Sequence, residues 1–238
     1  MNVNDTEVVW SILEEKGYGK TTNPAEADIW LIVTCSIREG AEDKIWKKLH
    51  NISRKKGGYG PFRKTLKVGL LGCMAERLKE KFLEEEKIVD LVVGPDSYKD
   101  LPNLLNEVEN NQRAVNVILS KSETYGDISP VRIHNNGISA FVSITRGCDN
   151  MCTFCVVPFT RGRERSRSPE SIIREIQELA DKGYREVTLL GQNVDSYLWY
   201  GGGPKKDFIK ASEEEQKSSI RFSKLLDLIA TSLSLIHI

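Results

Sequence analysis

The feature that most constrains the fold is a regular alternation of short apolar runs and amphipathic segments across the first hundred residues. In chain order these are 5–15 (helical spacing), 29–33 (apolar run), a helical stretch around 45–49, 68–71 (apolar run), 76–86 (helical spacing), 91–94 (apolar run) and 98–108 (helical spacing). Short continuous apolar runs are typical of strands buried on both faces, and strands that alternate with helices form a parallel sheet. The sequence therefore predicts an α/β fold, with ligand sites at the carboxyl ends of the strands.

Composition narrows the class of protein. The chain has 238 residues, with 34 basic and 34 acidic side chains, so bulk charge gives no argument for a nucleic-acid partner. No apolar run approaches the ~18 residues of a membrane span, and no secretory signal opens the chain, so we expect no membrane association. The cysteines number 5, which is odd, and three of them lie within a short segment. This pattern favours a metal site in a reducing compartment over disulfides.

The alternation of apolar runs and amphipathic segments weakens over 113–136, where polar residues and turn signals predict a linker. A strand at 138–144 then leads into the cysteine-rich segment. Ser168-Pro169-Glu170 predicts the start of a helix, because it combines a capping serine, a proline at the first helical position and an acid at the positive helix end. Beyond this helix we expect a strand at 186–190, a loop at 201–219 and a helix at 222–233. The second half therefore begins with a βαβ unit.

The cysteine-rich segment has the spacing C-x3-C-x2-C, formed by Cys148, Cys152 and Cys155. Three thiolates can hold three irons of a cubane cluster and leave the fourth iron open to a substrate or cofactor. A structural zinc site needs four nitrogen or sulfur ligands. The histidines that could supply one are His50, His134 and His237. The residues alone favour an iron–sulfur cluster, with a zinc site or structural thiols as the alternatives.

The other two cysteines each follow an apolar run by two residues. Cys35 comes after the run at 29–33, and Cys73 comes after the run at 68–71. Most free cysteines are small buried apolar residues, and this is one interpretation of both. The other is a shared ligand site, because the carboxyl ends of neighbouring parallel strands meet at one edge of the sheet.

The sequence around these cysteines resembles the radical S-adenosylmethionine (SAM) superfamily, and within it the MiaB-type tRNA methylthiotransferases. Phe154, directly before the last cysteine of the loop, is part of this resemblance. The matching segments are Thr145–Cys148, Cys155–Ser168, Leu190–Tyr197, Thr34–Glu39 and Gly72–Ala75. The Cys-Ser-Ile-Arg-Glu sequence at 35–39 resembles that of the branch that acts on isopentenylated adenosine. The chain as a whole is most similar to the metazoan members of that branch.

The resemblance implies two 4Fe-4S clusters and S-adenosyl-L-methionine as cofactors. Cys148, Cys152 and Cys155 would hold the SAM-binding cluster. Phe154, Gln192 and Asn193 would contact SAM, with Phe154 against its adenine. Cys35 and Cys73 would be two of the three ligands of an auxiliary cluster, and the third cysteine of the family motif would precede Met1.

The implied fold has two parts, an amino-terminal methylthiotransferase domain over 1–112, incomplete at its start, and a radical SAM domain over 137–238. The second part holds only the first βα units of a partial (β/α) barrel, with 113–136 as the linker. We therefore expect a shortened form of the family protein, with little or no activity of its own. Family resemblance suggests a mitochondrial location.

The implied reaction is the addition of a methylthio group to C2 of N6-isopentenyladenosine, next to the anticodon of a tRNA. The SAM-derived radical takes a hydrogen from C2, and the electron for this radical comes from an electron donor. A second hypothesis is a non-catalytic protein that restrains a cyclin-dependent kinase activator, for which a metazoan family member is named.

Two basic segments allow more than one interpretation. Arg161, Arg163, Arg165 and Arg167 alternate along the chain after the cysteine loop. They lie either on a solvated loop or against tRNA phosphates or the cofactor, since the arginine fork suits phosphate. The segment 51–67 carries basic residues and no acidic one. We interpret it as a flexible surface insertion, with contact to an RNA backbone as the alternative.

Overall fold

The computed structural model describes residues 1–36, 40–56, 65–85, 88–133 and 137–232. The chain divides between Leu119 and Ser120 into two compact units, which are called here the amino-terminal and the carboxy-terminal unit. The middle of the basic segment at 51–67, the end of the Thr34–Glu39 motif, His134 and His237 lie outside the described residues. No helix among the described ranges is both long enough and apolar enough to span a membrane.

The amino-terminal unit is a four-stranded parallel sheet in the order β1-β2-β3-β4, with helices between the strands. This confirms the predicted fold class. Its elements are α1 (Asn2–Glu15), β1 (Ile29–Thr34), α2 (Ala41–Lys56), β2 (Lys67–Gly72), α3 (Cys73–Glu85), β3 (Leu91–Val93), α4 (Leu101–Glu109) and β4 (Ala114–Asn116); a 3-10 turn, Tyr98–Asp100, leads into α4.

The core of this unit forms around β2, the strand between β1 and β3. Val68 and Leu70 of β2 are fully buried and belong to a cluster with Leu49 of α2 and Phe82 of α3. Gly69 has a steric role, since a Cβ at this position would lie 2.7 Å from Leu31 Cδ2 on the neighbouring strand. The apolar runs therefore become strands because both of their faces are covered.

The linker predicted over 113–136 needs a correction at its start. Residues 114–116 form β4, which pairs in parallel with β3 and places Val92 opposite Val115. The unit boundary accordingly falls near residue 120 instead of 113. A three-residue edge strand lacks the apolar run that marks the other strands, and the sequence pattern therefore missed it.

The carboxy-terminal unit contains a parallel pair, β5 and β8, with α6 between them in the chain. β6 pairs with β7 and β9 pairs with β10, both antiparallel. The elements are β5 (Ser139–Ser143), β6 (Thr145–Arg146), α5 (Val157–Thr160), β7 (Arg165–Ser166), α6 (Pro169–Asp181), β8 (Glu186–Leu190), β9 (Leu198–Trp199), α7 (Glu213–Lys217), β10 (Ile220–Arg221) and α8 (Phe222–Ser232).

Two helix starts in this unit show how local chemistry sets the boundaries. The Ser168 hydroxyl accepts a hydrogen bond from Ser171 N at 3.2 Å, with Pro169 at the first helical position, as predicted for α6. The loop predicted over 201–219 is wrong in part, because it contains a 3-10 helix at Lys205–Lys210 and the short helix α7. Ser212 and Glu215 form a capping box there, a sequence signal that could have predicted α7.

Candidate metal and cofactor site

The cysteine loop runs from the end of β6 to the start of α5, at the carboxyl end of the β5 strand region. Cys148 is buried, Cys155 is half-buried and Cys152 is exposed. The Cys155 amide donates to the Cys152 carbonyl at 2.9 Å, which makes a tight turn of the C-x2-C part. Phe154 projects into solvent with 91% of its surface exposed. The loop thus presents two accessible thiols and one anchored thiol.

The entrance to the loop requires glycine. Gly147 has a φ of +74°, and a Cβ there would lie 2.5 Å from the Gly162 carbonyl oxygen. The same carbonyl accepts a hydrogen bond from the Cys148 amide at 3.3 Å. Close packing against the segment that follows α5 therefore fixes the position of Cys148.

A second set of contacts holds the loop through Asp149 and Glu164. The Glu164 amide donates to Asp149 Oδ1 at 3.2 Å. The Glu164 side chain is 1% exposed, pairs with Lys205 Nζ at 3.0 Å and accepts a hydrogen bond from the Ser196 hydroxyl. Glu164 therefore joins the cysteine loop to the segment that follows β8. Nothing in the sequence pattern singles out either acid, although Asp149 lies inside the cysteine spacing.

Polar groups without partners line the carboxyl ends of β5 and β8. Within the described part of the chain, Ser143 Oγ, Thr145 Oγ1 and Gln192 Oε1 are buried and have no hydrogen-bond partner. Gly191 lies so close to Thr145 that a Cβ would overlap its hydroxyl oxygen. Buried polar atoms without partners are costly unless a ligand or water satisfies them. Their place at the ends of parallel strands is where α/β folds bind ligands.

These observations test whether the residues fit the cofactors implied by the resemblance. Among the described residues, no three cysteine, histidine, aspartate or glutamate side chains are gathered so that they could hold a metal ion. The donor chemistry nevertheless fits a cluster, because three thiols stand on one short loop. The unpartnered oxygens beside them fit a polar cofactor such as SAM. Asn193, next to Gln192, begins the 3-10 turn Val194–Ser196, and its contact with SAM stays a prediction.

Cys35 and Cys73 lie at one edge of the amino-terminal sheet. β1 and β2 are paired so that Thr34 lies opposite Gly72, and each cysteine directly follows one of these residues. Cys73 is 1% exposed and is the first residue of α3. Thr34 Oγ1 donates to the Leu71 carbonyl at 2.7 Å and accepts from the Met74 amide at 3.2 Å. Strand pairing thus brings the two cysteines to neighbouring strand ends, and their role as ligands stays a prediction.

Glu76 is a further unusual group at this edge. It lies in the first turn of α3, is 8% exposed, and its Oε2 has no hydrogen-bond partner among the described residues. Burial raises the pKa of its carboxyl group from 4.5 to about 7; Asp96 adds to the rise and Lys79 opposes it. Gly94 leaves room for this carboxyl, because a Cβ there would overlap Glu76 Oε2. Glu76 does not stand out in the sequence, since an acid in a first helical turn is ordinary.

The expectation for three of the four arginines requires a correction. Arg161, Arg165 and Arg167 are 2%, 1% and 5% exposed, so they lie neither on a solvated loop nor on an open surface for phosphate. Arg165 donates to the carbonyls of Glu123, Arg161 and Arg163 at 2.7, 3.0 and 3.0 Å. The side chain of Arg163 is 46% exposed, and contact with a nucleic acid stays a prediction for this residue.

The partners of Arg167 explain how an arginine of this segment can be buried. Its guanidinium pairs with Glu175 of α6, which also pairs with Arg132 from the linker region. The Arg167 Nε donates to the Ser171 hydroxyl at 2.7 Å, and the Tyr197 hydroxyl donates to the Arg167 carbonyl at 2.7 Å. Buried charges are tolerated when they are paired and hydrogen-bonded in this way. Paired charges and hydrogen bonds therefore hold Arg167 inside the carboxy-terminal unit, against α6.

Comparison with known families gives one match in each half of the chain. The radical SAM superfamily matches residues 142–228, and an uncharacterized protein family, UPF0004, matches residues 1–94. Together with the parallel strands and the cysteine loop, these matches define the chain as a radical SAM protein.

Relatives identify the branch. The chain is 65% identical over 230 residues to the tRNA-2-methylthio-N(6)-dimethylallyladenosine synthase of Christiangramia forsetii, an alignment that covers 97% of this chain and 47% of the relative. The synthase of Flavobacterium johnsoniae is 64% identical over 233 residues, again 97% of this chain and 47% of the relative. Mitochondrial tRNA methylthiotransferase CDK5RAP1 of Rattus norvegicus is 51% identical over 238 residues, 97% of this chain and 41% of the relative. The chain belongs to the radical SAM tRNA methylthiotransferase family, and it spans about half the length of these curated relatives.

Proposed function

We propose that the protein acts in the addition of a methylthio group to C2 of N6-isopentenyladenosine in tRNA, by radical SAM chemistry. The observation that carries the proposal is the C-x3-C-x2-C loop beside unpartnered buried oxygens at the carboxyl ends of two parallel strands. The names of the relatives support the reaction, since they describe a tRNA-2-methylthio-N(6)-dimethylallyladenosine synthase and a tRNA methylthiotransferase.

In this proposal Cys148, Cys152 and Cys155 hold the SAM-binding cluster. When bound, the cluster and SAM supply the one-electron chemistry that activates a C–H bond of the substrate. Gln192 Oε1 and Thr145 Oγ1 accept hydrogen bonds from SAM, because both are buried acceptors that lack partners in the described part of the chain. Phe154 covers one face of the SAM adenine, since an aromatic ring with 91% exposure can stack on it.

The auxiliary cluster belongs to the amino-terminal unit. Cys35 and Cys73 hold it in this proposal, supported by their position at neighbouring strand ends of one sheet edge. Further ligands come from outside this pair, because two thiols do not complete a cluster.

The partners of the proposed function are a tRNA and a one-electron donor. The donor is required because the reaction consumes an electron. No observation on the described residues favours restraint of a cyclin-dependent kinase activator, and we do not propose it.

A mitochondrial location rests on the names of the rat, mouse and human relatives, and the bacterial relatives carry no such name. Fractionation of cells that express the full-length gene tests it.

Anaerobic reconstitution with iron and sulfide tests the cluster assignment. We expect the wild-type chain to bind about four irons per SAM-binding cluster, and the reduced cluster to change its EPR spectrum when SAM is added. Cys152→Ala should lose this iron and this response. Met151→Ala, an exposed neighbour on the same loop, is the matched control and should keep both. A wild-type chain without iron, or a cluster whose spectrum ignores SAM, would refute the proposal.

A further inference from the structure

Glu164 is a buried acid with two separate sets of contacts. Its backbone amide donates a hydrogen bond to Asp149 Oδ1 of the cysteine loop at 3.2 Å. Its carboxylate, which is 1% exposed, accepts a hydrogen bond from the Ser196 hydroxyl and pairs with Lys205 Nζ at 3.0 Å. These contacts are called here the backbone arm and the side-chain arm. Every residue except proline carries the amide, so a substitution of Glu164 cuts the side-chain arm and leaves the backbone arm intact.

The side-chain arm ends on the segment that follows β8. Ser196 closes the 3-10 turn Val194–Ser196, and its hydroxyl also lies 2.9 Å from the Asn193 carbonyl oxygen. Lys205 Nζ donates to the Ser196 carbonyl at 2.8 Å, so both partners of the carboxylate meet at this residue. Gln192, directly before Asn193, has a buried Oε1 without a hydrogen-bond partner among the described residues. The side-chain arm therefore fixes the turn next to an acceptor that is available to a ligand.

Stability alone does not account for a charge at this position. Taking a carboxylate out of water is costly, and a buried ion pair adds little net stability compared with apolar side chains of similar volume. The Glu164 carboxylate is nevertheless buried, against a Lys205 side chain that is 32% exposed. Hydrogen bonds to a charged group are about twice as strong as neutral ones, so they hold a turn in one geometry. These contacts therefore fit a role in geometry better than a role in stability.

We propose that Glu164 is a positioning residue that holds Gln192 in place for SAM, an inference that rests on the proposed function for the identity of the ligand. The cluster ligands stand on the cysteine loop, and Gln192 follows the end of β8. Glu164 contacts the loop through its amide and the turn through its carboxylate, so it sets the separation of the two parts. SAM has to reach both parts at once, and a turn already held in the binding geometry lowers the cost of ordering it. Glu164 itself does not touch SAM in this proposal.

SAM titrations of the reconstituted full chain, followed by the EPR response, test this role. Glu164→Ala should keep the iron content of the wild type, because the backbone arm still holds the cysteine loop. It should weaken SAM binding about tenfold, since a hydrogen bond to a charged group is worth about that factor in an equilibrium constant. Glu164→Gln, which can still accept from Ser196, should restore most of the affinity. Asp149→Ala cuts the backbone arm instead and should lower the iron content.

A substitution at Ser196 tests the same contact from its other end. Ser196→Ala should also weaken SAM binding, and it carries the test if Glu164→Ala does not fold. The matched control is Ser219→Ala, because Ser219 is half-buried as well and its hydroxyl donates to the carbonyl three residues back, that of Gln216, at 2.8 Å. Hydrogen–deuterium exchange of the cluster-free chain measures the turn without any cofactor. Ser196→Ala should raise exchange over 192–197, and Ser219→Ala should leave it unchanged there.

The outcomes separate this inference from the proposed function. A wild type that responds to SAM, beside a Ser196→Ala variant of equal SAM affinity and equal exchange, would overturn the role of Glu164 alone. Iron content and SAM affinity that fall together in Glu164→Ala and Ser196→Ala would also overturn it, because that result shows a loss of stability and not of position. A wild type whose spectrum ignores SAM refutes the proposed function, and with it the choice of SAM as the ligand of this turn.

Discussion

The carboxyl group of Glu76 leads to a prediction about stability and pH. In the native state it is 8% exposed, it lies against Gly94, and its pKa is about 7 in place of 4.5. Burial is the main cause, the Asp96 carboxylate adds repulsion, and Lys79 partly offsets both. A pKa raised in the folded state means that the native protein binds this proton more tightly than the unfolded chain.

The magnitude follows from the shift. The pKa rises from 4.5 to about 7, and each pKa unit corresponds to 1.36 kcal/mol, so the effect is about 3 kcal/mol. The stabilisation is fully present below pH 4.5, because the carboxyl is then neutral in both states. It is lost progressively as the pH rises from about 4.5 to about 7, where the native state must ionise a buried group. Glu76→Gln keeps the neutral form at every pH and should remove this contribution.

Urea unfolding at pH 5.0 and at pH 7.5 measures the difference. Tryptophan fluorescence reports on the amino-terminal unit if Trp199, in the other unit, is replaced by Phe in every variant; Trp10, Trp30 and Trp46 remain. Between pH 5.0 and pH 7.5 the free energy of unfolding of the parent should fall by about 2 kcal/mol more than that of the Glu76→Gln variant, because part of the contribution is already lost at pH 5.0. Glu107→Gln, an exposed acid on α4, is the control and should behave as the parent. The reasoning fails if Glu76→Gln and the parent lose equal stability between the two pH values.

Two further substitutions test the support of the cysteine loop. Gly147→Ala should abolish most iron loading, because the new Cβ would meet the Gly162 carbonyl. The control is Gly183→Ala: Gly183 has a similar φ, +88°, but a Cβ there would have nothing within 4 Å, so this variant should load iron normally. Equal iron content in both variants would contradict this explanation. Glu175→Gln should lower the free energy of unfolding by about 3 kcal/mol in thermal melts, since it leaves two buried guanidinium groups without their carboxylate. Asp181→Asn on the exposed end of α6 should cost less than about 0.5 kcal/mol, and a similar cost for both would show that the pairing is unimportant.

Local patterns were sufficient where the signal lies within one segment. The run at 186–190 became β8 with the predicted bounds, and the serine–proline–glutamate start predicted α6. Such features depend on periodicity and capping, which act between residues a few positions apart. The short strand β4 was missed because its pairing with β3 is a contact across the chain.

The candidate site can likewise be divided into features that the sequence determines and features that depend on the tertiary structure. The sequence by itself determined the cysteine spacing, the strand ends that carry Cys35 and Cys73, and the family, because these are written in consecutive residues. Only the tertiary structure decided the state of the charged groups: it buries Arg165 against backbone carbonyls and leaves the buried Glu76 carboxyl oxygen Oε2 without a hydrogen-bond partner among the described residues. The physical reason is that the energy of a charge depends on its solvation and on partners from distant segments, and folding alone brings those together.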